Sequence, residues 1–309
     1  MDFTDVKGVP NVGARVWFLL KELQKEPSCI FLLTGSEELE LYSNAFTALA
    51  PFAGNLPEFE VVLWSQLPEV KARALKTVYG GSLARKKTIF ISSLEAFGEN
   101  LPASAAYKAL GFSFKTGWSY ARQEMQNRFL KAGYRRVSFV EERGQCAFRG
   151  SVVDFFAPDL EKPVRLFFTD ALESIRFFEI DTQHTSGFLE SVAVAPARAS
   201  DASVAPASLM NGGWKFFADS CVPEETLAGM RQAGAGGGSQ KPAFPAQSSH
   251  TCFKAYRFTA ISGGAQALDF GAVKNLNFNS DTAILAGELA RLKARGCAPV
   301  LFCLNRGES

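Results

Sequence analysis

The first 110 residues alternate between segments with helical and with strand-like hydrophobic patterns. Apolar residues recur every three or four positions over residues 13–26, which predicts an amphipathic helix. Its apolar stripe consists of Val16, Leu19, Leu20 and Leu23, and its polar face is expected to carry Lys21, Glu22, Lys25 and Glu26. The next predicted helix has the apolar stripe Leu39, Tyr42, Phe46 and Leu49, with Thr34 or Ser36 as its N-cap.

Three short apolar runs between polar turns predict buried strands, at residues 28–33, 59–64 and 87–92. Strands that alternate with helices form parallel sheets whose two faces are both covered. We therefore predict an α/β fold with a parallel sheet for this part of the chain.

From residue 111 the pattern changes to strands in close succession. After a predicted helix over residues 120–133, strand-like runs follow at 135–142, 145–158, 163–168 and 174–181. The short polar turns between them are typical of antiparallel hairpins. The α/β pattern returns after residue 252, with a helix near 281–296 and a strand at 298–304.

This order indicates one α/β domain interrupted by another domain. Residues 1–110 are expected to form its first part, and residues 111–200 an inserted α+β domain rich in antiparallel hairpins. Residues 201–309 supply a linker and the return to the α/β domain. Residues 196–208 and 232–249, rich in Gly, Ala, Ser and Pro, are predicted as loops, the second of them disordered.

Composition narrows the class of protein without identifying it. The 309 residues carry 33 basic and 31 acidic side chains, a net charge of +2, which argues against a protein that coats a polyanion. Six cysteines without a CxxC spacing predict a reduced protein rather than zinc or disulfide sites. The sequence has neither a secretory signal nor a run of about 18 apolar residues, so we expect a cytoplasmic protein without membrane contact.

Residues 8–15, GVPNVGAR, approach a phosphate-binding loop but lack two of its ligands. Gly8 and Gly13 have the spacing of GxxxxGK[ST], whereas Ala14 replaces the lysine and Arg15 the serine or threonine. The lysine would reach the β and γ phosphates and the hydroxyl would bind magnesium. We therefore predict a degenerate nucleotide loop, with no cofactor, no metal and no catalytic residue in this chain.

Basic residues cluster in the segment 71–87, which contains Lys71, Arg73, Lys76, Arg85, Lys86 and Lys87. Such a cluster can contact a phosphate backbone. The alternative is a solvated helix face followed by a turn, which the nearly neutral net charge favours. The sequence leaves contact with DNA through this segment open.

Two arginines in the hairpin region are predicted to lie on strand faces beside aromatic residues. Period-two alternation points Arg149 to solvent and places Arg165 on the face opposite Phe168. Arginines flanked by aromatic residues have the composition of a protein-binding hot spot. The alternative is that both arginines bond to a nearby carboxylate, such as Asp154 or Glu173.

Residues 133–185 resemble the hairpin domain shared by UvrB and the transcription-repair coupling factors of the Mfd type. The resemblance rests on four segments in order, which are GYRRV, RGSVVDFFAP, PVRLFF and ESIRFFEIDTQ. It extends more weakly to the whole chain, because residues 8–15 lie where UvrB carries its functional nucleotide loop. The implied fold is a helicase-like, P-loop-derived α/β domain with the hairpin domain inserted.

Of the two families, the chain resembles the coupling factors more than UvrB, because coupling factors carry the nucleotide loop in degenerate form, as Ala14 and Arg15 do here. It implies an N-terminal module that recruits UvrA to stalled transcription complexes for nucleotide excision repair. The family's two UvrA-contacting arginines fall on Arg149 and Arg165 and its contacting phenylalanine on Phe168, and Arg176 is a plausible further contact. The turn after the FF pair is one residue shorter here than in the family pattern.

The same resemblance implies that the chain is an N-terminal fragment. RNA polymerase and double-stranded DNA would then be bound by parts of the parent protein beyond residue 309, where ATP and magnesium drive a translocase. The alternative is a UvrB-like DNA-dependent ATPase, or DNA-binding repair protein, that uses an unorthodox loop.

Overall fold

The computed structural model describes residues 3–7, 9, 11–25, 29–80, 86–198, 203–210, 213–227, 254–259, 267–269 and 282–295. The helices are α1 (Val12–Gln24), α2 (Leu39–Leu49), α3 (Pro68–Tyr79), α4 (Leu94–Phe97), α5 (Ser104–Leu110), α6 (Arg122–Lys131) and α7 (Thr282–Ala294). The strands up to the hairpin region are β1 (Phe3–Lys7), β2 (Cys29–Thr34), β3 (Phe59–Trp64), β4 (Lys87–Ser93), β5 (Leu101–Pro102), β6 (Phe112–Lys115) and β7 (Arg135–Arg136).

The hairpin strands are β8 (Gln145–Arg149), β9 (Val152–Phe155), β10 (Val164–Phe168), β11 (Leu172–Phe178), β12 (Thr185–Leu189) and β13 (Ser191–Val194). The strands after them are β14 (Ser203–Val204), β15 (Trp214–Ala218), β16 (Lys254–Phe258) and β17 (Ala267–Asp269). None of the described helices is both long and apolar enough to cross a membrane.

A parallel sheet of seven strands has the order β17-β1-β16-β15-β2-β4-β3. The strands β15 and β16, which follow the hairpin region in sequence, lie between β1 and β2. Two distant parts of the chain therefore build one sheet, with the hairpin region leaving and re-entering it.

Both faces of the parallel sheet are covered, as the sequence predicts. On β2, Phe31 joins a core with residues of α3 and α4, whereas Ile30 and Leu32 join a core with residues of α1 and α2. Rings also stack across neighbouring strands, because Phe31 lies between Phe216 at 5.8 Å and Phe90 at 6.2 Å. Burial of these large apolar rings on both faces is the main contribution to stability here.

The hairpin region forms a six-stranded sheet in the order β12-β11-β10-β9-β8-β7, together with the two-stranded sheet of β6 and β13. Its pairs are antiparallel except β7 with β8. One face packs on a core that includes Phe114, Phe129, Phe155, Leu166 and Ile175. The structure is thus α/β with a parallel sheet and antiparallel hairpins, and this part of the fold prediction is confirmed.

The strand predicted over residues 135–142 is wrong beyond β7. The backbone N–H groups of Glu141 and Glu142 donate to the side-chain oxygen of Gln145, at 2.9 and 3.2 Å. Because these donors bond within the turn, they do not pair with a neighbouring strand.

The N-cap predicted for the second helix is also wrong. Thr34 is the last residue of β2, and its hydroxyl donates to Glu38 at 2.7 Å. A 3-10 turn at Ser36–Glu38 leads into α2 without a side-chain cap. The hydroxyl of Thr34, at the buried end of β2, therefore binds a side chain and does not cap the backbone of the helix.

Some predictions fall on residues that the structure leaves undescribed. The predicted strand at 298–304 and the predicted loop at 232–249 lie outside the described residues. The helix predicted near 281–296 is confirmed as α7.

The polar face of α1 differs from its prediction at Glu22, which is 4% exposed. Its carboxylate accepts from Lys215 on β15 and from Lys25. Burial would raise the pKa of Glu22, but the two ammonium groups outweigh it and hold the pKa below its usual range. Glu22 therefore joins α1 to the sheet by charge as well as by packing.

The lowered pKa of Glu22 predicts a specific acid sensitivity. The unfolded-state pKa is about 4.3, so the carboxylate stabilises the fold above that pH, and this stabilisation is lost as the pH falls through the lower folded-state pKa. Glu22→Gln is expected to lower the urea midpoint at pH 7, and to flatten the fall of that midpoint between about pH 5 and pH 3. The exposed Glu40→Gln in α2 serves as the control, and an unaltered profile in Glu22→Gln would contradict the assignment.

Candidate functional site

The side of the six-stranded sheet opposite the large core brings four charged residues together, and part of this side is covered by a small core that includes Ala147 and Phe178. Asp154 on β9 lies directly opposite Arg165 on β10, which lies opposite Arg176 on β11. Arg149 ends β8 on the same side, opposite Val152. We call the surface of Arg149, Asp154, Arg165 and Arg176 the arginine face. The alternation predicted for Arg149 and Arg165 is confirmed by this register.

One buried carboxylate contacts two of the arginines. Asp154 has a side chain only 1% exposed, and it accepts from Arg165 through both oxygens, from Nε at 2.8 Å and from Nη2 at 2.9 Å. Arg149 donates to one of the same oxygens. The side chain of Arg165 is 12% exposed and that of Arg149 37%. Asp154 is thus the carboxylate that the sequence leaves as an alternative partner, and Arg165 is less accessible than Arg149.

Each arginine of the arginine face also lies over a phenylalanine ring. The pairs and their distances from guanidinium carbon to ring centroid are Arg149 over Phe139 at 4.8 Å, Arg165 over Phe178 at 4.4 Å and Arg176 over Phe188 at 5.9 Å. Phe178 is buried, whereas Phe139 is 57% and Phe188 60% exposed. Contacts of this kind between a cation and the face of an aromatic ring are attractive.

Sequence reasoning missed both exposed rings. Phe139 falls in the stretch 135–142, where the wrong strand prediction gave it no particular orientation. Phe188 follows Gly187, in a stretch without an apolar run of its own. The only available signal was one large apolar residue among polar neighbours, which is common on ordinary protein surfaces.

Two backbone features position the arginines. Gly150 follows Arg149 in a two-residue turn and has φ 53°, a left-handed conformation that glycine adopts without cost. Gln183 has φ 59°, which is uncommon for a residue with a side chain. It accepts from Arg165 with its backbone oxygen at 3.2 Å and with its side-chain oxygen at 2.6 Å. The strained residue is therefore bound to the central arginine of the face.

Phe168, predicted as a contact residue, lies on the opposite side of the sheet. It packs against the inner core, with its ring 6.3 Å from that of Tyr120, and it is half-buried. The strand pairing shifts register between Phe167 and Phe168, yet Phe168 keeps its inward orientation. The structure brings together Arg149, Arg165 and Arg176, and it does not bring Phe168 to them.

At the carboxyl edge of the parallel sheet, Arg15 is held by an internal network. It pairs with Asp219, which is fully buried, and donates to Ser220 at 2.8 Å. Tyr42 also donates to Asp219 at 2.5 Å, and the hydroxyl oxygen of Thr34 lies 3.1 Å from the same carboxylate. Burial would lower the pKa of Arg15, but Tyr42 and Asp219 raise it. The Arg15 side chain is 13% exposed.

The backbone at the start of α1 is engaged as well. Asn11 caps the helix, and its side-chain oxygen accepts from the N–H of Ala14 at 2.9 Å. Gly8 lies outside the described residues, whereas Gly13, Ala14 and Arg15 lie in the first turn of α1. An N–H group and a cation that an anion would need are thus committed to internal partners.

Next to this network, Glu38, Asp219 and Cys221 place potential metal-ligating atoms within 4.8 Å of one another. Both oxygens of Asp219 already accept, one from Arg15 and the other from Tyr42. The positive charge that the carboxylate needs is therefore supplied by the guanidinium of Arg15.

The basic segment 71–87 is neutralised by internal partners where it is described. The pairs are Lys71 with Glu99 at 2.6 Å, Arg73 with Glu161 at 3.6 Å, Lys76 with Asp159 at 2.7 Å and Lys86 with Glu58 at 2.5 Å. Lys87 donates to two backbone oxygens, at 2.8 and 3.0 Å. Arg85 lies outside the described residues. This pairing favours the solvated-face interpretation over a phosphate-binding patch.

Comparison with known proteins gives a consistent family signal. Residues 112–199 match the UvrB interaction domain. Curated relatives include the transcription-repair-coupling factors of Myxococcus xanthus, 31% identical over 48% of this chain, and of Escherichia coli strain K12, 34% identical over 33%. The matched stretches span only 13% and 9% of those two relatives. The resemblance to transcription-repair coupling factors is thereby confirmed, and all members of the arginine face lie within the matched domain.

Removal of the shared carboxylate is expected to be costly. Asp154→Ala leaves the buried guanidinium of Arg165 without its anion, and loss of one partner from a buried pair destabilises by about 3–5 kcal/mol. Urea-induced unfolding should show this loss, with amide exchange locating it in β9 and β10. Glu173→Ala removes an exposed carboxylate from β11 and should change stability by about 0.5 kcal/mol or less. Equal effects of the two substitutions would contradict the central role of Asp154.

Proposed function

We propose that this chain is the UvrB-like module of a transcription-repair coupling factor and that its arginine face docks UvrA for nucleotide excision repair. The observation that carries the proposal is the position of three arginines, from three different strands, on one side of the segment that matches the UvrB interaction domain. A protein partner can contact several of these side chains at once, because they lie on the same side of one sheet.

The charge of the arginine face supports a partner of opposite charge. Three arginines and one aspartate leave a formal charge of +2 on this surface. Complementary charge raises the rate of encounter and disfavours wrong partners. The exposed rings of Phe139 and Phe188 add apolar area, which interfaces bury at their centre. We infer that the partner presents carboxylates beside an apolar surface.

We also propose that the parallel-sheet part has a P-loop-derived, helicase-like fold whose nucleotide loop is degenerate, and that this chain catalyses no reaction. The absence of a loop lysine and hydroxyl at Ala14 and Arg15 supports this interpretation. So does the ion pair of Arg15 with Asp219, which would have to break before Arg15 could contact a phosphate.

RNA polymerase and double-stranded DNA are the further partners that the resemblance implies. We propose that both are bound by regions of a coupling factor outside residues 1–309. The internal pairing of the basic segment supports this division, because the cations that the structure describes there already have carboxylate or carbonyl partners.

The docking proposal is tested by Arg149→Ala. Truncation of an interface anchor weakens binding by about 2 kcal/mol or more, which is about 30-fold in Kd. A calorimetric titration with UvrA should show this loss, while the urea midpoint should fall much less than in Asp154→Ala, because Arg165 still donates to both oxygens of Asp154. Arg128→Ala on α6 removes an arginine that is 51% exposed and pairs with Glu124 of the same helix, and it should bind as the wild type. Unchanged affinity in Arg149→Ala would remove the arginine face from the interface.

The nucleotide proposal is tested by thermal unfolding with magnesium and ATP. A ligand at 100 times its Kd stabilises a fold by about 2.7 kcal/mol, which shifts Tm by several degrees. We expect no shift at millimolar nucleotide, because Arg15 is held by Asp219. A known nucleotide-binding ATPase in the same assay provides the positive control. A shift that depends on magnesium would contradict the proposal.

A further inference from the structure

A cleft lies between the parallel-sheet part of the chain and the hairpin region. Its volume is about 780 Å³, within the range of about 300–1,000 Å³ of cavities that hold small organic ligands. One wall comes from α3, with Ala72 and Leu75, and another from the hairpin region, with Phe156 and Ile180. The lining is mainly apolar, and no residue of the arginine face belongs to it. The cleft is therefore a separate candidate site, at the kind of junction where ligand sites are common.

Two arginines from separate segments of the hairpin region, Arg143 and Arg198, line this cleft. Gly144, which follows Arg143, has φ 79°, and a Cβ atom added to it would lie 3.4 Å from the Cβ of Ala197. The backbone N–H of Gly144 donates to Phe156 at 2.7 Å, and that of Ala197 donates to the residue that follows α6 at 2.8 Å. The residues next to the two arginines are thus adjacent and fixed by hydrogen bonds. Both arginines therefore lie close together along the cleft.

Both arginines pack against the hairpin region, whereas their guanidinium groups have no carboxylate partner. The guanidinium carbon of Arg143 lies 4.7 Å from the centroid of the buried ring of Phe156. The stem of Arg198 covers Gly133, because a Cβ atom added there would lie 2.6 Å from the Cβ and Cγ atoms of Arg198. Within the described part of the chain, neither guanidinium lies within 4.0 Å of a carboxylate oxygen. Two adjacent cations without a counterion attract an anion.

The acidic residues of the cleft limit the charge that a ligand can carry. Four glutamates also line it, which are Glu69, Glu141, Glu142 and Glu161. Two of them have arginine partners elsewhere, since Glu142 accepts from Arg135 at 3.1 Å and Glu161 pairs with Arg73 at 3.6 Å. Carboxylates at this distance would repel a polyphosphate or a nucleic acid, because like charges disfavour association. A ligand with one anionic group, placed beside the two guanidinium groups, avoids this repulsion.

We propose that the cleft binds an amphipathic monoanion, a small organic molecule with an apolar body and one carboxylate or sulfonate group. The anionic group accepts from Arg143 and Arg198, because a guanidinium can donate two parallel hydrogen bonds to such a group. The apolar body packs between Leu75 of α3 and the side chains of Phe156 and Ile180, and burial of its surface supplies the rest of the affinity. The site is independent of the docking function.

The site is tested with 8-anilinonaphthalene-1-sulfonate, a fluorescent aromatic sulfonate, in fluorescence and calorimetric titrations. The wild type should bind one molecule per chain. Arg143→Ala should raise the Kd about tenfold, as loss of hydrogen bonds to a charged group does. Arg198→Gln, which keeps part of the stem over Gly133 and loses the fork, should have a similar effect. Arg128→Ala, on α6 and outside the lining, should bind as the wild type. Because the dye also binds loosened folds, the urea midpoint of each variant is compared first.

A neutral analogue separates the role of the charge from that of the apolar body. N-phenyl-1-naphthylamine has the same rings without the sulfonate, and the wild type should bind it about tenfold more weakly. Arg143→Ala and Arg198→Gln should change the Kd of this analogue less than about twofold, because they remove only the anion contacts. Ile180→Ala should weaken the binding of both probes, because it removes apolar surface from the wall. On binding of the sulfonate, slower amide exchange should appear at the start of α3 and around the two arginines.

Several results would overturn the proposal. These are no binding of the sulfonate, wild-type binding by both arginine variants, equal affinity for the neutral analogue, and slower exchange confined to the arginine face. Inorganic sulfate at the concentration of the probe should not displace it, and displacement would indicate a simple anion site instead of an amphipathic one. Displacement by dodecanoate would support the proposal and extend the ligand class to chain carboxylates. None of these measurements uses UvrA, so their failure would leave the docking function untouched.

Discussion

The hairpin sheet depends on a carboxylate that is buried on the side of the sheet that carries the arginine face. An ionised Asp154 at 1% exposure is stable only with cations and donors around it, and Arg165 and Arg149 supply them. The same pairing allows Arg165 and Arg176 to lie directly opposite each other on β10 and β11, where like charges otherwise repel. Asp154 balances the positive charge of Arg165, whereas the charge of Arg176 is not balanced by Asp154.

The parallel sheet uses the same device at the edge where such sheets ordinarily bind ligands, outside the carboxyl ends of the strands. Asp219 follows β15, is fully buried, and is balanced by Arg15 from α1. In the parallel sheet, the pair of Arg15 with Asp219 occupies a place that a ligand would need. In the hairpin sheet, the pairing with Asp154 holds further arginine donors at the surface. Whether an arginine–aspartate pair blocks a binding site or forms part of one depends on how many guanidinium N–H groups have no partner within the chain.

Apolar periodicity was sufficient to predict most helices and strands, because burial of alternate or stripe positions dominates their stability. The environment of polar residues is harder to predict from the sequence. A charged side chain within an apolar pattern can either be exposed to solvent or be buried with a partner of opposite charge. Glu22 was placed on a solvent face and is buried against Lys215, a residue 193 positions away that no local pattern could connect to it. For Arg165, strand alternation gave the correct face, and the degree of burial depended on Gln183 and Phe178 from other segments.

In the proposed docking, the same residues of the arginine face would serve both stability and binding, which are separate properties. A guanidinium fixed by a carboxylate and stacked on a ring has lost its rotamer freedom during folding, so docking costs less conformational entropy. That advantage requires a donor still unused after folding. Arg149 and Arg165 have the same chemistry and the same anion, yet four engaged donors and a buried ring make Arg165 part of the fold. The residue type alone therefore does not distinguish an arginine held within the fold from one that keeps donors for a partner.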